Sequence, residues 1–91
     1  MLNNYYETIG NMIKWTFVRW ATREYEGFTS YVSSSLYNGY TIQKNLVSIS
    51  DDGKEYSYEI LRKTNALRYE NVGVKFKLLP EALEYIDERL L

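Results

Sequence analysis

The 91-residue chain contains no cysteine and no histidine. Their absence rules out disulfides, thiolate nucleophiles and thiolate-held zinc. It also rules out serine or cysteine nucleophiles activated by histidine. The commonest acid–base side chain at neutral pH is missing, and any metal site would have to be built from oxygen alone. Glycine occurs singly, at positions 10, 27, 39, 53 and 73, so there is no glycine-rich loop to cradle a phosphate. No apolar stretch approaches the roughly 20 residues of a membrane-spanning helix. The opening MLNNYYETIG has no basic stretch ahead of an apolar one, so no secretory signal is expected, and a cytoplasmic location is the expectation.

The carboxylates do not repair the chemical deficit. Asp51-Asp52 sits in SISDDGKEY, which lacks the alternating spacing of a calcium loop and reads as a solvated turn. Glu55 and Glu59 fall on one side of an alternating stretch and read as an exposed polar face. The expectation is therefore a protein that is no enzyme and needs neither cofactor nor metal. Net charge is −1 with a pI near 5.4, which is not the basic balance expected of a nucleic-acid-binding domain. Residues 1–50 hold four basic and three acidic residues, and residues 51–91 hold seven and nine, so neither half is strongly polarised.

What the chain does have is ten tyrosines. A tyrosine ring gives apolar area and its hydroxyl gives a hydrogen bond, a combination enriched in interface cores. Tyrosine, asparagine, isoleucine and lysine also share AT-rich codons, so a low-GC bacterial or phage genome accounts for the same excess. A chain of 91 residues makes one domain with one core.

The longest helical pattern runs from Asn3 to Glu26. Tyr6, Ile9, Ile13, Phe17 and Trp20 recur at steps of three and four, which places them on one apolar face. Trp15, Val18 and Tyr25 gather on the opposite side. Trp15 is then covered by another element of the chain or meets a partner. Gly27 marks the expected helix end.

Beyond it the signals turn to strand. FTSYVSSSLY, from Phe28 to Tyr37, is β-branched and aromatic. Asn38-Gly39 is a strong hairpin signal that would set Tyr37 opposite Tyr40. The next strand runs from Tyr40 to Ser50, with a bulge expected near Lys44-Asn45. Asp51-Asp52-Gly53 forms the following turn. In EYSYEIL, Tyr56, Tyr58 and Ile60 alternate with Glu55, Ser57 and Glu59. Leu67 and Tyr69 alternate next, Asn71-Val72-Gly73 reads as a turn, and Val74, Phe76 and Leu78 close the sheet. Pro80 suits the start of a final helix with a stripe of Leu83, Ile86 and Leu90. The predicted fold is α+β: a long N-terminal helix, an antiparallel meander of four to five strands and a short C-terminal helix.

A second parsing takes Lys54 to Asn65 as a helix, ALRYENVGVKFKLL as a β-wing and the remainder as a closing helix. That order resembles the C-terminal half of a winged helix domain. The resemblance implies DNA binding, with Lys54, Arg62, Lys63, Lys75 and Lys77 near the duplex.

The preferred expectation is a small protein-binding module. Trp15, Tyr25, Tyr31, Tyr37 and Tyr40 are its candidate partner-binding anchors, of the kind that carry interface energy. In size, acidity and Tyr/Asn-rich composition the chain resembles small phage and mobile-element proteins, among them the anti-CRISPR proteins. That resemblance implies a stoichiometric inhibitor or regulator of a nucleic-acid-handling complex in the host cytoplasm, bound to a protein partner. A structural subunit of a larger assembly, in which a symmetric homodimer buries Trp15, is the other reading.

Overall fold

The computed structural model describes residues 4–25, 28–66 and 68–91, with side chains described at 5–18, 32–66 and 68–91. The fold is α+β. Five strands, β1 (Thr16–Tyr25), β2 (Phe28–Tyr37), β3 (Tyr40–Ser50), β4 (Gly53–Asn65) and β5 (Arg68–Phe76), form an antiparallel sheet in sequence order. Helix α1 (Asn4–Met12) precedes the sheet. Helix α2 (Leu79–Tyr85) follows it and continues as a π-helical turn over Ile86–Leu90. Among the described residues no helix is long and apolar enough to cross a membrane.

The long N-terminal helix is corrected. α1 ends at Met12, where Ile13 donates its N–H to the Gly10 carbonyl at 3.3 Å. The helical spacing holds as far as the helix does: Tyr6 is buried, and Ile9 and Ile13 pack against the core. From Thr16 the chain carries Thr16, Phe17, Val18, Trp20, Thr22 and Tyr25, residue types that suit a pleated surface. Pairing of Thr16, Phe17 and Val18 with Ser34, Ser33 and Val32 satisfies their backbone in a sheet, and tertiary pairing overrides a middling helix propensity. Phe17 is consequently half exposed instead of lying in a helical stripe. The side chain of Trp20 and the expected helix end at Glu26-Gly27 lie outside the described residues.

The hairpin signals hold. Tyr37 pairs with Tyr40 across Asn38 (φ 47°) and Gly39 (φ 88°), the positive dihedrals that a tight hairpin turn demands. A Cβ on Gly39 would meet nothing within 4 Å, so only backbone strain opposes one. Gly39→Ala is expected to cost about 1 kcal/mol in urea denaturation, and an unchanged midpoint would show that the turn relaxes freely. The bulge in β3 falls at Val47, between the Leu46 and Ser48 pairings, slightly beyond Lys44-Asn45.

Two further expectations change. Asn71-Val72-Gly73 is not a turn between strands but an irregularity inside β5. Asn71 Oδ1 accepts the Gly73 N–H at 2.7 Å, and Gly73 has φ 96°. Leu67 lies outside the described residues. The helix that the winged-helix parsing needs over Lys54–Asn65 is strand β4, paired on both sides. Its alternating Tyr56, Tyr58 and Ile60 obey a period of two, which a helix would scatter around its circumference.

Both helices cover one sheet face. Ile42 pairs with Ile60 across β3 and β4, and both are fully buried with Leu83, Ile86 and Ala82 from the C-terminal segment. The expected stripe of Leu83, Ile86 and Leu90 is therefore the one that packs inward. Each such large side chain contributes about 1.5–3 kcal/mol. On the opposite face Glu59 is buried, contrary to the solvated face read for it. Register places it beside Lys75, whose Nζ is 3.7 Å from its carboxylate.

Candidate functional site

The tyrosines expected to be anchors divide into separate groups. Tyr37 and Tyr40, at the β2–β3 turn, are half-buried and reach the C-terminal helix. The Tyr37 hydroxyl donates to Asp87 Oδ2 at 2.8 Å and the Tyr40 hydroxyl to the Leu90 carbonyl at 3.1 Å. Tyr6 of α1 donates to the same Oδ2 at 3.1 Å, and Asn38 Nδ2 to Oδ1 at 2.8 Å. Asp87 thus ties α1, the hairpin turn and the C-terminal segment together. The side chains of Tyr25 and Tyr31 lie outside the described residues.

Burial, with the Asp87 carboxylate beside it, pushes the Tyr6 hydroxyl up to about 12, and the same causes raise Tyr37. Well below pH 10 the Tyr6 and Tyr37 phenols are neutral in folded and unfolded chains alike. Above it the unfolded chain loses protons that the folded chain retains, so stability falls as pH rises towards about 12. Wild-type protein is expected to lose stability more steeply over that window than the Tyr6→Phe/Tyr37→Phe variant in alkaline denaturation series. Parallel slopes would reject the assignment.

Trp15 stands elsewhere, in the loop between α1 and β1. Its ring lies 6.1 Å from that of Tyr58, and Lys44 Nζ sits 5.4 Å above it. The same ammonium is 4.3 Å above the Tyr56 ring. Register explains this corner: Lys44 pairs with Tyr58 and Leu46 with Tyr56, so the lysine emerges among the rings. Cation–π contacts of this kind are worth about 0.5–1 kcal/mol each at exposed positions. Tyr40 is four residues from Lys44 on β3, roughly 13 Å along a strand, so Trp15 and the Tyr37–Tyr40 pair are not one patch.

A groove runs past this corner. Tyr58, Lys77 and Leu78 border two adjoining depressions. One, about 440 Å³, leads between the helices past Gly10 and Leu79. The other, about 380 Å³, leads to Lys54, Glu55 and Tyr56. Leu78 stands 60% exposed at the lip. A separate depression of about 530 Å³ is lined by the Phe76–Tyr85 ring pair, Glu81, Glu84, Glu88 and Arg89.

Of the basic residues expected near DNA, Lys54 and Lys77 meet in this groove. Lys75 is paired with Glu59 and Arg62 lies 3.8 Å from Glu70. Lys54 and Arg62 are eight residues apart on β4, roughly 25 Å along an extended strand. Sequence reasoning passed over Lys44, Tyr56, Leu78 and Asp87. Alternation places Tyr56 beside Tyr58, but only the strand register brings Lys44 over both neighbouring rings. No local signal marks Asp87, whose partners are 49 and more residues away.

Comparison with protein-family models, with curated proteins and with solved structures finds no match.

Proposed function

We propose that this chain is a non-enzymatic protein-binding module whose recognition surface is the groove beside Trp15. The observation that carries the reading is the grouping of Tyr56 and exposed Leu78 with Lys54 and Lys77 along one open depression, with the Trp15 ring 6.1 Å from that of Tyr58 in its wall. Interface energy concentrates in aromatic anchors set in such depressions, surrounded by polar groups. The absence of histidine and cysteine from the sequence supports binding over catalysis. The compositional likeness to small phage proteins supports one mode of action: stoichiometric occupation of a surface on a nucleic-acid-handling complex, as inhibitor or regulator.

The test is affinity capture from nuclease-treated lysate with the tagged full chain. A single stoichiometric protein partner is expected to survive nuclease. Trp15→Ala and Tyr56→Ala should each weaken its binding by about thirtyfold, the size of a 2 kcal/mol hot spot. Circular dichroism should show the wild-type fold in both variants. Tyr69→Ala, at a 54% exposed position on β5, should bind as wild type. Full binding by the Trp15 and Tyr56 variants would place the surface elsewhere, and loss of the captured material on nuclease treatment would turn the reading to nucleic acid.

A further inference from the structure

We infer that the groove beside Trp15 takes an acidic protein segment with an apolar anchor, its carboxylates lying over Lys54 and Lys77. This rests on the binding-module reading and names the chemistry of the partner. The chain as a whole is slightly acidic, at −1. Around Tyr56 the balance is reversed: Lys54 and Lys77 line the depression, Lys44 stands over the ring, and among the described residues Glu55 is the one carboxylate lining that half. Lys54 and Lys77 are exposed and form no ion pair among the described residues. Their charge is therefore available to an incoming anion, unlike that of Lys75, which Glu59 already meets.

The other half of the groove has a different character. Past Tyr58 it is walled by Leu78, Leu79 and Pro80, with Gly10 in the helix alongside and Glu7 the carboxylate there. Gly10 presents no side chain, and a Cβ there would lie 3.4 Å from Leu79. An aliphatic or aromatic side chain fits this end, and carboxylates fit the other. A nucleic acid strand places a phosphate at every step and calls for basic residues along the whole track. Here the positive charge stops at Lys77 and a carboxylate follows, which favours a peptide of mixed chemistry.

The experiment selects a displayed random-peptide library on the full-length protein and measures synthetic copies of the enriched peptides by fluorescence anisotropy. Enriched peptides are expected to combine aspartate or glutamate with a leucine or aromatic residue a few positions away. Their affinity should fall with added salt and by at least about tenfold for Lys54→Glu/Lys77→Glu. Both substitutions are at exposed positions, and circular dichroism verifies the fold. Enrichment of basic or uncharged peptides, no enrichment, or equal binding by the charge-reversed variant would overturn the inference. So would an oligo-dT strand that binds more tightly than the peptides and displaces them.

The captured cellular partner separates the two levels. Loss with Trp15→Ala but retention by Lys54→Glu/Lys77→Glu leaves the module standing and removes the acidic segment. Retention by Trp15→Ala removes the surface itself. Loss with both supports both.

Discussion

Leu83→Ala is expected to lower the stability of the domain by about 3–4 kcal/mol and its Tm by on the order of 15 °C. Leu83 is fully buried on α2, in the cluster that also holds Ile42 and Ile60. Truncation removes the transfer energy of the lost atoms. It also leaves a hole, because the sheet beneath is held by its hydrogen-bond register and cannot collapse into the space. A domain of 91 residues has a total stability of about 5–14 kcal/mol, so this one change takes a large share. Ile49→Ala, at a 52% exposed position, should stay within about 0.5 kcal/mol of wild type. Urea denaturation of the two variants tests the placement of the core. Equal effects would mean that α2 does not seat on the sheet as described.

That core was largely legible in the sequence where local rules and the fold agree. Tyr58 and Ile60 alternate with polar residues, and Leu83, Ile86 and Leu90 repeat at helical steps. Asn38-Gly39 marks its turn without help from elsewhere. Legibility failed where two periodicities overlapped. Between Asn3 and Glu26 the apolar residues fit a helix, while the residues from Thr16 onward individually favour a strand. The deciding factor was β2, a pairing partner that no window confined to the first 26 residues can see. The same holds for Glu59, whose alternation is correct but whose burial, on a strand paired on both sides, no window within β4 can show. Of the candidate site, the sequence marks Lys54 and Lys77, though for a different partner, and Trp15 beside it. Its neighbours Lys44 and Tyr56 come from strands joined by a bulged register, and Leu78 from the bend after β5. Side chains brought together by register leave little trace in linear spacing.

Asp87→Ala is the second large effect, expected to cost about 2–3 kcal/mol. The carboxylate accepts from Tyr37 and Asn38 at 2.8 Å and from Tyr6 at 3.1 Å. Hydrogen bonds to a charged group are worth about 1.5–3 kcal/mol each when buried. Here the Asn38 bond is exposed and the two tyrosine bonds are part-buried, so water replaces some of what is lost. The loss should therefore fall well short of three full bonds. Tyr37→Phe removes one donor and leaves Asp87 two others, and should cost about 1 kcal/mol. Combined with Asp87→Ala it should add little, because the bond is already gone, which gives an interaction energy of about 1 kcal/mol in a double-mutant cycle. Hydrogen exchange adds a spatial readout. Amides over Ile86–Leu90, which Asp87 and the Tyr40–Leu90 bond hold to the hairpin, should exchange faster in Asp87→Ala than those of β3 and β4. Additive single and double variants, or uniform acceleration across the sheet, would show that Asp87 does not act as the tie between the C-terminal segment and the hairpin. If it does, the Trp15 groove and this tie are separable: Asp87→Ala should loosen the C-terminal segment while partner binding at the Trp15 corner persists wherever the domain remains folded.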